Sequence, residues 1–117
     1  MNIKAVKKYC ASLPHSKGEI KWDVDLVYTI GGRMFAVAFE DRDGNGLVSF
    51  KVDDERFLEL TDREGFIPAP YLARAKWVQV TDLKAVAEPE LKALIRRSHE
   101  LVLARLPRKA QTVLASQ

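Results

Sequence analysis

The sequence predicts a small α+β domain built on an antiparallel sheet of about five strands. Runs of alternating apolar residues fill the middle of the chain, two successive glycines separate the two strongest runs, and apolar stripes of helical spacing occupy both ends. The chain has 117 residues, of which 47% are hydrophobic and 30% are charged, and this is the size and composition of one globular domain. We therefore expect a single domain over residues 1–117.

The first predicted helix begins after Asn2, a suitable cap, and ends at Pro14. Its apolar residues recur at steps of three and four and form one stripe, made of Ile3, Val6, Cys10 and Leu13. The basic residues Lys4, Lys7 and Lys8 then fall mainly on the solvent side. The exposed face of this helix is therefore expected to be positive.

Residues 19–52 predict a four-stranded antiparallel meander. Ile20 and Trp22 alternate with Lys21 in its first strand. The strands Val27–Ile30 and Arg33–Phe39 form a hairpin around Gly31-Gly32, because glycine allows the positive φ of a tight turn. Alternation along the second of these strands predicts one face with Phe35, Val37 and Phe39 and another with Met34, Ala36 and Ala38. The fourth strand is Leu47–Val52, after the loop Asp41–Gly46.

The second half of the chain predicts two helices and one strand. Asp53 is placed to cap a helix whose apolar residues pack back on the sheet, namely Phe57, Leu58 and Leu60. Pro68 and Pro70 hold the following segment extended, as a loop or a sheet edge, before a last strand Lys76–Val80.

Pro89 opens the longest helix. The apolar stripe of this helix is Leu91, Leu94, Ile95, Leu101, Val102 and Leu106, with Ser98 near its centre. Helical spacing places Lys92, Arg96 and His99 along one exposed edge and Arg97 on another. The tail from Pro107 is expected to fray.

Charge is distributed unevenly along the chain. The net charge is +3, but residues 1–22 carry +4, residues 23–64 carry −6 and residues 65–117 carry +5. A polyanion would be attracted by both ends and repelled by the middle. The two ends form one positive surface only if the fold places them side by side.

Residue patterns for catalysis or metal binding are missing from the sequence. Cys10 is the only cysteine, and its place on an apolar stripe disfavours a thiolate. His15 and His99 are far apart and have no carboxylate or cysteine at a ligand spacing. The loop Asp41–Gly46 matches half of a calcium-binding EF-hand loop, but Val52 stands where the bidentate Glu belongs, so we predict a β-turn there. We expect no enzyme, no metal and no cofactor.

Basic residues with aromatic residues near them in sequence are the remaining functional candidates. Lys and Arg contacts to phosphates supply most of the non-specific affinity for nucleic acids, and aromatic faces stack on bases. Trp22, Tyr71 and Trp77 are the aromatic residues of this set. The alternative interpretation is that the Lys and Arg residues are solvated helix faces and the tryptophans belong to the core.

The order of these elements and four stretches of sequence resemble the MmcQ/YjbR family of small bacterial proteins, whose fold is similar to that of the frataxin-like CyaY. The stretches are VYTIGGRMFAVAF, VSFKVDDERFLEL, PAPYLARAKWVQV and ELKALIRRSHELVLARLP. The most specific pieces are Gly31-Gly32 with Met34-Phe35-Ala36, then Trp77, and then Ser98 with Leu101-Val102 and Leu106-Pro107. The resemblance implies a CyaY-like fold with the N-terminal and C-terminal helices packed on one face of the sheet and one inserted helix.

The resemblance also implies DNA binding, through similarity to a double-wing arrangement, and it carries that role to Arg74, Lys76 and Trp77. Two departures weaken a role that depends on the polar residues of the family. Tyr71–Lys76 replaces the His, Asn, Lys and His pattern that many members have, and His99 stands where many have Tyr. The comparison with frataxin implies iron handling by acidic residues of the first helix. This chain has lysines and no carboxylate there, so we expect no iron site.

Our hypothesis from the sequence is a bacterial, cytoplasmic, monomeric protein that binds DNA and has no membrane partner. The residues expected to contact nucleic acid are Lys4, Lys7, Lys8, Arg74, Lys76, Trp77, Arg96 and Arg97. The alternative is a protein-interaction or small-ligand module that uses a groove between the sheet and the PAPYLARAKW loop, with Tyr71 and Trp77 as its contacts. In that case the basic residues serve solubility only.

Overall fold

The computed structural model describes residues 1–21 and 25–116 as an α+β fold with a six-stranded antiparallel sheet. The strands lie in the order β1-β2-β3-β4-β6-β5. Their bounds are β1 Lys17–Lys21, β2 Asp25–Ile30, β3 Arg33–Glu40, β4 Gly46–Lys51, β5 Phe66–Pro68 and β6 Trp77–Val80. The helices are α1 Ile3–Ser12, α2 Asp54–Thr61, α3 Glu88–Arg105 and α4 Arg108–Ala115. Trp22, predicted in the first strand, lies outside the described residues.

The main core lies between one face of the sheet and the helices α1, α2 and α3. Val6 and Cys10 of α1, Leu60 of α2 and Leu91 and Ile95 of α3 are fully buried in it. The inward-facing residues of the central strands complete this core, including Phe50, Val48, Val78 and Val80. The N-terminal and C-terminal helices therefore share one face of the sheet, as the resemblance implied.

The opposite face of the sheet carries a smaller apolar cluster beneath a loop. Val27, Val37 and Trp77 are buried there together with Ala69, which follows β5. The segment predicted as a loop or a sheet edge is both. Phe66–Pro68 forms a short edge strand beside β6, and the chain then folds over the sheet through a 3₁₀ turn at Ala73–Ala75.

The Gly-Gly hairpin is confirmed. Gly31 and Gly32 have φ values of 57° and 82°, a left-handed conformation that glycine adopts without steric cost. Gly31 also lies against the end of α3, since a Cβ atom added there would stand 2.7 Å from Leu106 Cδ1. The turn between β2 and β3 is thus fixed both by backbone geometry and by contact with the last helix.

The prediction that Phe35 shares a face with Val37 and Phe39 is wrong, because β3 contains a β-bulge. Tyr28 is opposite Ala36 while the next residue of β2, Thr29, is opposite Met34, so Phe35 is the extra residue. A bulge shifts the alternation by one position. Phe35 consequently points into the main core, where it is fully buried.

Ser98 joins α3 to the sheet at this bulge. Its hydroxyl donates to the Phe35 carbonyl oxygen at 2.6 Å and accepts from the Lys51 backbone N–H at 2.9 Å. Ser98 is fully buried, so these two backbone groups have no water as an alternative partner. The last residue pair of the β3–β4 ladder is Ala36 and Phe50. Just beyond it, the Ser98 hydroxyl bridges the backbones of Phe35 and Lys51.

Three further expectations for the helices are wrong. His99 is buried instead of lying on an exposed edge. Its Nε2 lies 2.8 Å from the Pro14 carbonyl oxygen, to which it donates, and its ring packs edge-on against Phe35. Leu58 is 78% exposed, since only Leu60 and the half-buried Phe57 turn toward the core. The tail from Pro107 forms α4, and Leu114 packs on the core.

Ion pairs tie α2 to α3 at both ends. Arg63 makes two hydrogen bonds of 2.9 and 2.8 Å to the Glu90 carboxylate. Asp53, expected to cap α2 with its side chain, instead accepts two hydrogen bonds of 2.9 Å from Arg97. The hydrogen bonds from Arg63 lower the pKa of Glu90, and those from Arg97 lower the pKa of Asp53.

Replacing Ser98 with alanine is expected to lower the free energy of unfolding by about 1–3 kcal/mol, because two buried backbone groups lose the hydrogen bonds that Ser98 makes to them. Urea denaturation followed by circular dichroism measures this loss. Ser12→Ala is the control, since the Ser12 hydroxyl bonds a carbonyl on the exposed side of α1. Equal, small effects of the two substitutions would contradict the role assigned to Ser98.

Replacing Gly31 with alanine is expected to cost about 1–3 kcal/mol more than replacing Gly32. Both substitutions place a side chain at positive φ, but only the Cβ at position 31 meets Leu106, and nothing lies within 4 Å of a Cβ at position 32. Thermal unfolding of the two variants gives the comparison. If both lose the same stability, the contact between the turn and α3 contributes nothing.

Replacing Glu90 with glutamine is expected to destabilise the protein near neutral pH and to have no such effect in strong acid. The lowered pKa of Glu90 means that its ion pair stabilises the fold fully above the ordinary Glu pKa of about 4.3, and that this stability is lost as the pH falls through the lowered value. Urea midpoints across this range test the expectation. Glu64→Gln, at an exposed position, should show no such pH dependence.

Candidate functional site

Two neighbouring helices carry basic residues on the outer face of the helical layer. α1 and α3 are neighbours, since Lys92 Nζ of α3 lies 5.6 Å from the ring centre of Tyr9 and His99 bonds Pro14 just after α1. Lys4 and Lys8 lie one turn apart on the solvent side of α1, and Arg96 follows Lys92 by one turn on α3. We call Lys4, Lys8, Lys92 and Arg96 the helical surface.

The residues of the helical surface have no ion-pair partner among the described residues, although Glu100 lies one turn from Arg96 and Glu88 lies one turn from Lys92 on α3. None of the ion pairs formed within residues 1–21 and 25–116 involves any of the four. Lys4, Lys8 and Arg96 are exposed, and α1 contains no acidic residue. Lys7, also expected at the site, is half-buried beside them, and its backbone carbonyl accepts a hydrogen bond from Tyr28.

Arg97 differs from its neighbour Arg96 because acidic residues engage it. Its guanidinium binds the Asp53 carboxylate and lies 3.7 Å from Glu100 Oε1. Asp53 belongs to the acidic middle of the chain, so part of the positive charge of α3 is cancelled by that segment. Arg97 therefore has less charge to offer an external anion than Arg96 has.

The three sequence-predicted residues around β6 lie apart from the helical surface. Arg74 is exposed on the 3₁₀ turn that folds over the opposite face of the sheet. Lys76 has a φ of 63° and its Nζ lies 5.1 Å from the ring centre of Phe57 on α2. Trp77 is 5% exposed beneath the loop, so its ring has no free face for stacking. The structure does not bring these residues together with Lys4, Lys8 and Arg96.

Lys51 is a buried cation that the periodicity of the sequence did not indicate. It ends β4, its Nζ donates to the Ala75 carbonyl oxygen, and burial together with the charge of Arg105 lowers its pKa. The signal available in the sequence was a single lysine inside the apolar run LVSFKV. Its hydrogen bond holds the 3₁₀ turn to the end of β4.

The opposite face of the sheet contains an apolar groove of about 490 Å³. Val37, Ser49 and Gln79 form its floor, Met34 and Phe39 stand at its side, and the loop segment 70–72 overhangs it. Within that segment Tyr71 has a φ of 65° and a fully exposed side chain. We call this cavity the open-face groove.

Other reactive groups have structural explanations. Burial raises the pKa of the Cys10 thiol to about 12, so it carries no nucleophilic thiolate at neutral pH. Asp41 Oδ1 accepts from the backbone N–H groups of Asp43 and Asn45, which makes the predicted turn and lowers the pKa of Asp41. In the part of the chain that the structure describes, no group of three or more His, Cys, Asp or Glu residues could hold a metal ion.

No helix among the described residues combines the length and the apolar character needed to cross a bilayer. The longest, α3, has charged residues throughout its length.

Comparisons with known proteins agree with this architecture. The chain is similar to the Deinococcus radiodurans protein DR2400, which has a DUF419 domain, with 29% identity and a TM-score of 0.85 over 97% of this chain and 88% of that one. A Pseudomonas syringae protein of solved structure has the same fold, with 19% identity and a TM-score of 0.74 over 87% of this chain and 99% of that one. No functionally curated protein matches. The YjbR family profile matches residues 11–101, and the chain therefore belongs to the YjbR family.

Proposed function

We propose that this protein binds nucleic acid through the helical surface and contacts the phosphate backbone there. The observation that carries the proposal is the placement of Lys4, Lys8 and Arg96 on two adjacent helices, exposed and without ion pairs among the described residues. A carboxylate partner would have to be displaced before such a cation could bind a phosphate. These three cations need no such exchange.

The chemistry of this surface favours binding that depends little on sequence. Lysine ammonium groups act as point charges toward phosphate oxygens, and each phosphate neutralised releases condensed counterions. The surface lies along two helices packed flat on the sheet, and the one buried tryptophan described, Trp77, has no face free to stack on a base. We therefore expect affinity to depend steeply on salt and weakly on base sequence.

The description of MmcQ/YjbR proteins as DNA-binding supports the same function. Within this proposal the contacts lie on the helical surface, and Arg74, Lys76 and Trp77, which lie apart from it, make none. Arg97 contributes less than Arg96, since Asp53 and Glu100 engage it.

We further propose that the protein is a cytoplasmic monomer that acts without catalysis or a cofactor. The raised pKa of Cys10 and the burial of His99 support the absence of catalysis, because they remove the single thiol and one of two imidazoles from contact with substrates.

Reversing two charges on α1, with Lys4→Glu and Lys8→Glu together, is expected to weaken binding to a short DNA duplex by about tenfold or more at low salt. Two lost phosphate contacts should also reduce the slope of log K against log salt by about 2. Fluorescence anisotropy with labelled duplex and single-stranded DNA across a salt series measures both quantities.

The matched control reverses one exposed charge on the other side of the sheet, Arg74→Glu, and one paired charge, Arg97→Glu. We expect little change for Arg74→Glu and a smaller loss for Arg97→Glu than for Arg96→Glu. Absence of measurable binding by the unmodified protein at low salt would refute the function. A larger loss for Arg74→Glu than for the α1 variant would move the site to the loop.

A further inference from the structure

We propose that the open-face groove binds a small, uncharged aromatic molecule that carries a carboxamide or lactam group. This site is independent of the helical surface, which lies on the other side of the sheet. The proposal rests on two largely buried polar side chains, Ser49 and Gln79, that face the groove and make no side-chain hydrogen bond to any residue the structure describes.

Ser49 and Gln79 stand side by side on the floor of the groove. They are directly opposite each other on the neighbouring strands β4 and β6, so their side chains point to the same face. Ser49 is 5% exposed and Gln79 is 9% exposed, yet neither side chain makes a hydrogen bond to any residue in the ranges 1–21 and 25–116.

These side chains remain open to the groove. Within the described ranges, Ser16 Oγ is the one side-chain atom that is both sealed from solvent and unpaired, so the polar atoms of Ser49 and Gln79 are not sealed. The small accessible area that they retain faces the cavity they line. A molecule in the groove can therefore reach them.

The polar pair specifies the kind of group that would bind. The Gln79 carboxamide offers an acceptor oxygen and a donor NH₂, and the Ser49 hydroxyl offers one donor and two acceptor positions. A carboxamide or lactam presents the complementary acceptor and donor on the oxygen and nitrogen atoms that flank one carbonyl carbon. Such a group satisfies both side chains at once, and neither partner has to be charged.

The rest of the groove specifies the body of the ligand. Met34, Val37, Phe39 and Leu72 present apolar surface, and the exposed Tyr71 ring stands at the opening. Pockets of this size, mostly apolar with a few convergent polar groups, accommodate small organic ligands. A flat aromatic ring matches the thioether and phenyl surfaces of Met34 and Phe39.

Charge at the groove disfavours an anion. Asp25 is the one charged residue among the described residues that line it. A carboxylate or phosphate would meet this acid and find no cation in return, whereas a neutral amide suffers no such repulsion. The groove therefore favours an uncharged ligand, whereas the helical surface favours a polyanion.

Benzamide and benzoate are the matched probes, because they share a ring and differ in the carboxamide against the carboxylate. In ¹H–¹⁵N and methyl NMR titrations of the full chain, benzamide should shift the Gln79 side-chain amide and the Met34 methyl. Benzoate should bind at least about tenfold more weakly. Gln79→Met, which keeps the length of the side chain and removes its amide, should weaken benzamide by about tenfold and leave benzoate unchanged.

Two further variants keep the test decisive. Asp25→Asn should strengthen the binding of benzoate and so narrow the difference in affinity between the two probes. Lys8→Glu should leave both affinities unchanged. The proposal is overturned by shifts that lie outside the groove, by equal binding of benzamide and benzoate, or by an unaltered benzamide affinity in folded Gln79→Met. Failure of DNA binding would not affect any of these readouts.

Discussion

The arrangement of this fold depends on one hydroxyl group, that of Ser98. The bulge places Phe35 outside the paired register of β2 and β3, and the Ser98 hydroxyl donates to the Phe35 carbonyl while it accepts from the Lys51 backbone N–H. This fixes the rotation of α3 about its axis. With Ser98 pointing to the sheet, the next residue, His99, is turned toward Pro14 and Phe35, and the chain after α1 is held against α3.

The rotation of α3 about its axis also determines which of its two adjacent arginines meets a carboxylate at the start of α2. Arg96, two positions before Ser98, is directed to solvent on the α1 side, whereas Arg97 is directed toward Asp53 at the start of α2. Arg97 thus joins α3 to the start of α2, whereas the side chain of Arg96 is left exposed. Basic residues of both ends of the chain lie on the helical layer, and the other face of the sheet carries an apolar groove lined by one charged residue, Asp25, among those the structure describes.

Much of the fold could be predicted because the spacing of apolar residues within each element indicates whether it is a helix or a strand. The meander, the Gly31-Gly32 turn and the stripes of α1 and α3 each follow from residues within one element. The errors arose where distant residues intervene. Phe35 changes face at a bulge where its carbonyl bonds Ser98, 63 positions away, and Asp53 bonds Arg97, 44 positions away, instead of capping α2 with its side chain. For the candidate site, helical spacing correctly predicted that Lys4, Lys8 and Arg96 are exposed. The sequence left open whether Trp77 belongs to the core and did not indicate that Ser49 meets Gln79, because both depend on how β6 and its loop are placed.

The two edges of the sheet differ in length but share a resistance to self-association. β5 has three residues and ends at Pro68, which cannot donate to a neighbouring strand. β1 has five exposed residues, with Lys17, Glu19 and Lys21 on alternate positions. If two copies of β1 paired antiparallel with all five residues overlapped, Lys17 would face Lys21 and Glu19 would face Glu19. The register that forms the most backbone hydrogen bonds is therefore the one that charge repulsion opposes, so this exposed strand can stay uncovered without acting as a template for growth of the sheet.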